Sequence, residues 1–226
     1  MSKFLRSQFE RSAHARMFYP NTDVYRNKLD IRDEELLEDA EREITAQRAD
    51  EVFPRTAHHR HFAGFRAIHR HLFKDLYTWA GKVRTYTTGR GPIPFATPDN
   101  IESWMNEQFS KLKAKKYLVG LDADDFAMEA AEIVNEINAG HPFPDGNGRT
   151  QRHWLRMLAN NAGFELTLRE TDRELWNEAS RIGFEKGDHA PMAAFIRERL
   201  ADGNPSPDLI SDPEPSGHNG TPKPEY

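Results

Sequence analysis

Between Asp122 and Leu158 the sequence encodes two helices and a loop that neither helix can absorb. Phe126, Ala127, Ala130, Ala131, Val134 and Ile137 recur three and four residues apart, which predicts an apolar helix face from about Asp122 to Asn138. Gly140 fits the left-handed residue that closes such a helix, so His141 emerges just past its end. Trp154, Leu155 and Leu158 belong to the face of the next helix. The connection runs His141-Pro142-Phe143-Pro144-Asp145-Gly146-Asn147-Gly148-Arg149-Thr150-Gln151-Arg152 and holds a Gly-Asn-Gly turn at the start of that helix. Two striped helices on either side of such a loop need further helices to bury against.

The remaining sequence supplies them. Leu36, Leu37, Ala40 and Ile44 predict one face; Phe62, Phe65, Ile68, Leu72 and Phe73 predict another, on a helix beginning near Thr56. A third helix starts at Pro98, with Thr97 as N-cap, and runs through Ile101, Trp104, Met105, Phe109 and Leu112. Two shorter helices are expected around Leu175, Trp176, Ala179 and Ile182, then around Met192, Phe195, Ile196 and Leu200. The exception is Lys82 to Thr97. There Val83, Thr85, Tyr86 and Thr87 read as a strand, Gly89-Arg90-Gly91-Pro92 as a turn and Ile93, Pro94 and Phe95 as the return. A lone hairpin needs a surface to pack on, and a flap over the glycine loop provides one. After Leu200 the chain turns to Pro, Gly, Ser, Asp and Asn, the composition of a disordered tail. The expected organisation is an N-terminal extension over 1–18, a mainly α domain over 19–200 and a tail over 201–226.

Composition narrows the function. The formal charge is −5 with both signs interspersed, so no basic stripe marks nucleic acid as a direct ligand. The absence of cysteine rules out disulfides and thiolate metal sites. No apolar stretch approaches the roughly 20 residues of a membrane span, and the first residues lack a secretory core; a soluble, cytoplasmic protein is expected. No Gly-x-x-x-x-Gly-Lys-Ser/Thr loop occurs, which disfavours a P-loop ATPase. His58, His59, His61, His69 and His71 lie among arginines without suitably spaced carboxylates and read as a solvated face rather than a zinc site.

The loop itself reads as a phosphate site with a catalyst beside it. Gly146, Asn147 and Gly148 can aim successive backbone N–H groups at one anion, at the positive end of the following helix. His141 is the candidate base, because its ordinary pKa leaves a neutral fraction at cytosolic pH. Asp145 offers the hard oxygen that Mg²⁺ takes alongside phosphate oxygens. Arg149 and Arg152, three apart, share a helix face and can neutralise phosphate oxygens. Phe143 alternates away from His141 and reads as a core anchor.

The run from His141 to Arg152 resembles the signature of the Fic family, His-x-Phe-x-Asp/Glu-Gly-Asn-Gly-Arg-x-x-Arg, and matches at every position. The segment Leu72 to Lys82, with Tyr77-Thr78-Trp79-Ala80-Gly81, is similar to the stretch that precedes the flap in that family, and Tyr19-Pro20-Asn21-Thr22 is similar to its entry segment. The resemblance implies the Fic fold, a helical bundle with a β-hairpin flap over the active-site loop. It also implies transfer of AMP from ATP to a Ser, Thr or Tyr hydroxyl of a target protein. By that resemblance His141 takes the hydroxyl proton, Asp145 holds Mg²⁺, and Gly146, Asn147 and Gly148 cradle the α- and β-phosphates. Arg149 then binds the β- and γ-phosphates and Arg152 the γ-phosphate, while Pro94, Phe95 and Ala96 hold the target by strand addition. Trp176 and Phe184 lie where the family contacts adenine and equally suit the core.

Gly146 and Gly148 favour AMP transfer over the phosphotransfer of a family branch that carries Ala-Asn-Lys there. The Ser/Thr-x-x-x-Glu-Gly/Asn stretch by which many Fic proteins silence themselves is not found: Thr45 is followed four residues on by Ala49, and Ser180 to Glu185 is one residue too long. This implies an inhibitory glutamate on a separate small antitoxin, pairing with Arg152. The expected role is a toxin or effector, with a type II topoisomerase subunit as target. The alternatives are a Fic-fold phosphotransferase or other nucleotidyl transferase, and a non-catalytic module binding nucleotide and peptide; the latter has no need of His141 and Asp145.

Overall fold

The computed structural model describes residues 4–5 and 7–201; of the expected tail over 201–226 all but Ala201 lies outside them. Eight α-helices occur among the described residues: α1 (Gln8–Ala15), α2 (Glu34–Asp50), α3 (Phe62–Phe73), α4 (Pro98–Ala114), α5 (Ala123–Gly140), α6 (Asn147–Asn161), α7 (Arg173–Lys186) and α8 (Ala190–Arg197). Between α3 and α4 lies one antiparallel hairpin, β1 (Gly89–Arg90) and β2 (Ile93–Pro94), paired Gly89 with Pro94 and Arg90 with Ile93.

Helix α5 is the centre of the bundle. Its stripe of Phe126, Ala127, Ala130, Ala131, Val134 and Ile137 is buried, and it packs against α4, α6, α7 and α8. The small alanines let those neighbours approach closely, while Phe65, Phe73, Phe126, Phe143 and Trp154 fill the remaining volume. Asp122 caps the start by accepting from the Asp125 N–H at 2.9 Å, a contribution of about 1 kcal/mol. The helix ends differently from the sequence expectation. Gly140 is its last helical residue, packed so closely on Met105 that a Cβ would lie 2.7 Å from its sulfur, and His141 takes the left-handed conformation instead, at φ 40°.

Other expectations shift for physical reasons. Helix α3 begins at Phe62 rather than near Thr56, so His58, His59 and His61 precede it. His69 and His71 are buried in the core and not part of a solvated face: the His71 ring is within 2.8 Å of the Arg48 carbonyl, and His69 serves the site described below. Helix α2 is rotated from its expected face. Leu36 is 62% exposed while Leu37 is buried, followed one turn apart by the polar side chains of Glu41 and Thr45. On α7, Leu175 is exposed and Trp176, Ala179, Ser180 and Gly183 face inward. Thr97 sits at the N-cap of α4 but makes no capping bond; its hydroxyl accepts from Asn100 Nδ2.

The hairpin is also shorter than expected, and residues 83–87 are not strand. The Arg84 N–H is donated to the Pro142 carbonyl, and Thr87 is partnered by α1. Glu10, itself held by a reciprocal Ser7 capping box, is buried and accepts from both the N–H (2.9 Å) and hydroxyl (2.6 Å) of Thr87. A helix side chain therefore satisfies backbone that a second strand would have paired.

Candidate active site

The loop from His141 to Gly146 is braced on every side. The Asn147 side chain turns back across it, accepting from the Phe143 N–H (3.0 Å) and donating to the Phe143 carbonyl (2.9 Å). Phe143 is fully buried against Phe65 and His69, as an anchor should be. Tyr25 donates to the Pro144 carbonyl at 3.2 Å. His69 reaches Asp145: its Nδ1 accepts from the Gly81 N–H at 2.8 Å, so the ring proton sits on Nε2 and is donated to the Asp145 carbonyl at 3.0 Å. Burial pushes the His69 pKa down to about 3, which keeps that tautomer neutral.

The turn then opens α6. Gly146 has φ 75°, and a Cβ there would come within 2.3 Å of the Phe73 ring, so both backbone and packing demand glycine. Gly148 is different. Its Cβ would meet nothing closer than Arg152 Nη1 at 3.8 Å and Trp176 Nε1 at 3.9 Å, so protein packing does not require glycine there. The helix has no side-chain cap, and its first internal bond is donated by Thr150 to the Gly146 carbonyl. The N–H groups of Asn147, Gly148 and Arg149 therefore precede the intrahelical ladder, at the positive end of the helix dipole.

Four charged groups surround this turn. Arg149 pairs with Glu41 of α2, which also accepts from the Tyr77 hydroxyl, and its guanidinium lies 4.8 Å over the Phe73 ring. Arg152 follows one turn on, its Nη1 on the side of Gly148. Asp145 Oδ1 accepts from the Gly146 N–H at 2.6 Å. The Asp145 pKa is raised, by burial first and by the negative charge of Glu41 second, with Arg149 opposing. Sequence reasoning did not find Glu41 or His69, which lie far from the loop along the chain; only a polar residue on the buried side of a helix could have signalled either.

His141 lies at the other end of the loop. Its Nδ1 is enclosed and has no hydrogen-bond partner. The Phe95 ring lies flat on the imidazole, with centroids 3.9 Å apart and planes 3° apart, and Phe184 packs on Phe95 in turn. Burial, followed by the positive charges of Arg84 and Arg90, lowers the His141 pKa to about 3, so the ring is neutral and able to accept a proton. Of the three flap residues, Phe95 faces the imidazole, Pro94 is exposed, and Ala96 donates its N–H to the Ala139 carbonyl at 3.0 Å. The flap thus covers the imidazole directly. Trp176 is buried beside Gly148, whereas Phe184 is part of the Phe95 stack.

Comparison with known proteins gives this arrangement a family. The Fic/DOC family pattern matches residues 62–159. A probable protein adenylyltransferase of Sinorhizobium fredii is 40% identical over 183 residues, covering 80% of this chain and 94% of that one. The chain belongs to the Fic family. The probable protein adenylyltransferase Fic of Escherichia coli is 38% identical over 167 residues, covering 73% of this chain and 82% of that one. The N-terminal Fic domain of a Bartonella quintana cell filamentation protein, solved with ADP bound, superposes with a TM-score of 0.73 at 27% identity, covering 82% of this chain and 94% of that one. The helices and the hairpin are thus those of a Fic fold, and α2, which carries Glu41, lies outside the stretch that the family pattern matches. Among the described residues no helix is long and apolar enough to cross a membrane.

Proposed function

We propose that the chain is a Fic-type protein adenylyltransferase, transferring AMP from ATP to a hydroxyl of a target protein. The observation that carries this reading is the single loop with a neutral imidazole at one end and the uncapped N-terminus of α6 at the other. Relatives named protein adenylyltransferases and a similar Fic domain with bound ADP support it.

In the reaction the target hydroxyl oxygen attacks the α-phosphorus, the bond from that phosphorus to the oxygen bridging to the β-phosphate breaks, and pyrophosphate leaves. The hydroxyl proton passes to His141. The N–H groups of Asn147, Gly148 and Arg149 hold the α- and β-phosphates in the turn that Gly146 shapes, its own N–H being taken by Asp145; the Arg149 side chain holds the β- and γ-phosphates and Arg152 the γ-phosphate. Bound anionic phosphate would raise the His141 pKa from its low value and strengthen it as a base. Asp145 fits Mg²⁺: it is a hard carboxylate whose buried negative charge a divalent cation would offset. When bound, the ion supplies charge neutralisation for the polyphosphate.

The exposed edge at Pro94 would receive a target segment by strand addition. In the cell the reading is a toxin acting on a cytoplasmic protein, a type II topoisomerase subunit, with a separate small antitoxin bringing a glutamate to Arg152.

The test is incubation of the purified protein and its His141→Ala variant with α-phosphate-labelled ATP, Mg²⁺ and bacterial lysate. Label on a discrete band with the wild type alone is expected, and the band names the target. Labelling from the γ-phosphate alone would replace AMP transfer by phosphotransfer, and no labelling of any protein by either nucleotide would favour a binding module.

A further inference from the structure

Arg84 is buried, 2% exposed, and among the hydrogen bonds of its guanidinium every acceptor is a backbone carbonyl. Nε donates to His141 at 2.7 Å, Nη1 to Tyr86 at 2.6 Å, and Nη2 to Ala96 at 2.5 Å and Gly140 at 3.3 Å. Its own backbone N–H donates to the Pro142 carbonyl at 2.9 Å. These acceptors belong to two different structures. Gly140, His141 and Pro142 are the end of α5 and the start of the catalytic loop, whereas Tyr86 and Ala96 are the two roots of the flap.

The end of α5 needs such a group. The helix has no basic residue in its own last turn, and its terminal carbonyls lack intrahelical donors and carry the negative end of the dipole. His141 is in addition held at φ 40°, a conformation that costs a residue other than glycine about 1–2 kcal/mol. A guanidinium arriving from another segment satisfies the carbonyls and holds that conformation from its oxygen. Because the group is planar and its donors are fixed relative to one another, the His141 and Ala96 carbonyls are set on one rigid frame. The parallel contact between Phe95 and His141 then follows from the geometry of its flanks.

We propose that Arg84 is a positioning residue that holds the flap in register with His141, so that a hydroxyl presented by a target on the flap meets the base. The proposal rests on the AMP-transfer reading for its kinetic arm and on the fold alone for its structural arm. Lysine at this position keeps the charge and the capping of α5 but lacks the planar fork, so Arg84→Lys separates registration from folding.

The experiment compares wild type and Arg84→Lys in two measurements. In AMP transfer to the labelled target, kcat should fall about 10- to 100-fold while KM for ATP changes less than about threefold, since small misplacements of reacting groups cost on that order. In hydrogen exchange, the amides of Phe95 and Ala96 should exchange at least about tenfold faster with α8 unchanged, which reports the tie without turnover. Millimolar guanidinium added to Arg84→Ala should restore part of kcat. Wild-type kcat in Arg84→Lys, a loss carried wholly by KM for ATP, or unchanged exchange at the flap would each overturn the proposal. A wild type that transfers no AMP would overturn the proposed reaction while leaving the exchange measurement to decide the tie.

Discussion

Gly146 and Gly148 stand two positions apart and are glycine for different reasons. Gly146 has a positive φ and the Phe73 ring where its Cβ would be. Gly146→Ala should therefore destabilise the fold by about 2–4 kcal/mol, from backbone strain plus overpacking. At Gly148 a Cβ would make only ordinary contacts with Arg152 and Trp176, and alanine is a better helix former. Gly148→Ala should leave the melting temperature unchanged or raise it, yet weaken ATP binding at least about tenfold, because the methyl would stand where phosphate approaches the N–H groups. Thermal unfolding and calorimetric titration with a non-hydrolysable ATP analogue check both, and equal effects of the two variants on stability would refute the distinction. The layout of the loop was legible in the sequence because it is local: His141, Asp145, the glycines and the arginines fall within one run. Arg84 and His69 were not legible, since each acts on the loop across more than fifty positions of chain and neither belongs to a pattern.

Helix α2 illustrates what periodicity reveals and what it leaves out. The spacing of Leu37, Ala40 and Ile44 announces a helix, but the face turned inward also carries Glu41 and Thr45, whose burial depends on Arg149 and Tyr77. An apolar stripe cannot display an ion pair with a distant helix. The hairpin is shorter than its composition announces for a related reason: residues 83–87 have strand-like composition, but α1 takes the backbone N–H of Thr87. Glu41 has a measurable consequence. It lies near enough to Asp145 to raise its pKa, so it would also repel the polyphosphate proposed to bind Arg149. Glu41→Gln removes one negative charge and should tighten ATP binding about three- to tenfold, while costing about 1–3 kcal/mol of stability through the lost buried pair. Titration with the same analogue, read beside the melting temperature, tests this; weaker binding would mean that Glu41 serves to aim Arg149.

Four imidazoles, His59 and His69 buried and His141 and His153 half-buried, are held neutral by their surroundings, and that choice sets the response to acid. Burial is the first cause in each case, lowering His59 and His153 to about 4 and His69 and His141 to about 3. All four fall below the ordinary value of about 6.5, so between the two values the unfolded chain binds more protons than the folded one. Their contribution to stability is complete above about pH 6.5 and is lost as pH falls towards 4, by up to about 1.4 kcal/mol per pH unit for each ring. Asp145, with its raised pKa, works in the opposite direction, as a single group against four. Between pH 7 and pH 5 each of the two buried rings, His59 and His69, accounts for a loss of about 2 kcal/mol, the half-buried rings being screened by solvent. With Asp145 opposing, the domain should lose about 2–4 kcal/mol, a fall of about 5–15 °C in melting temperature. The slope should be shallower in His59→Gln, which removes one ring whose Nε2 has no hydrogen-bond partner and which lies outside the catalytic loop. A melting temperature constant from pH 7 to 5, or an unchanged slope in the variant, would show that these imidazoles reach solvent and are protonated in the folded chain.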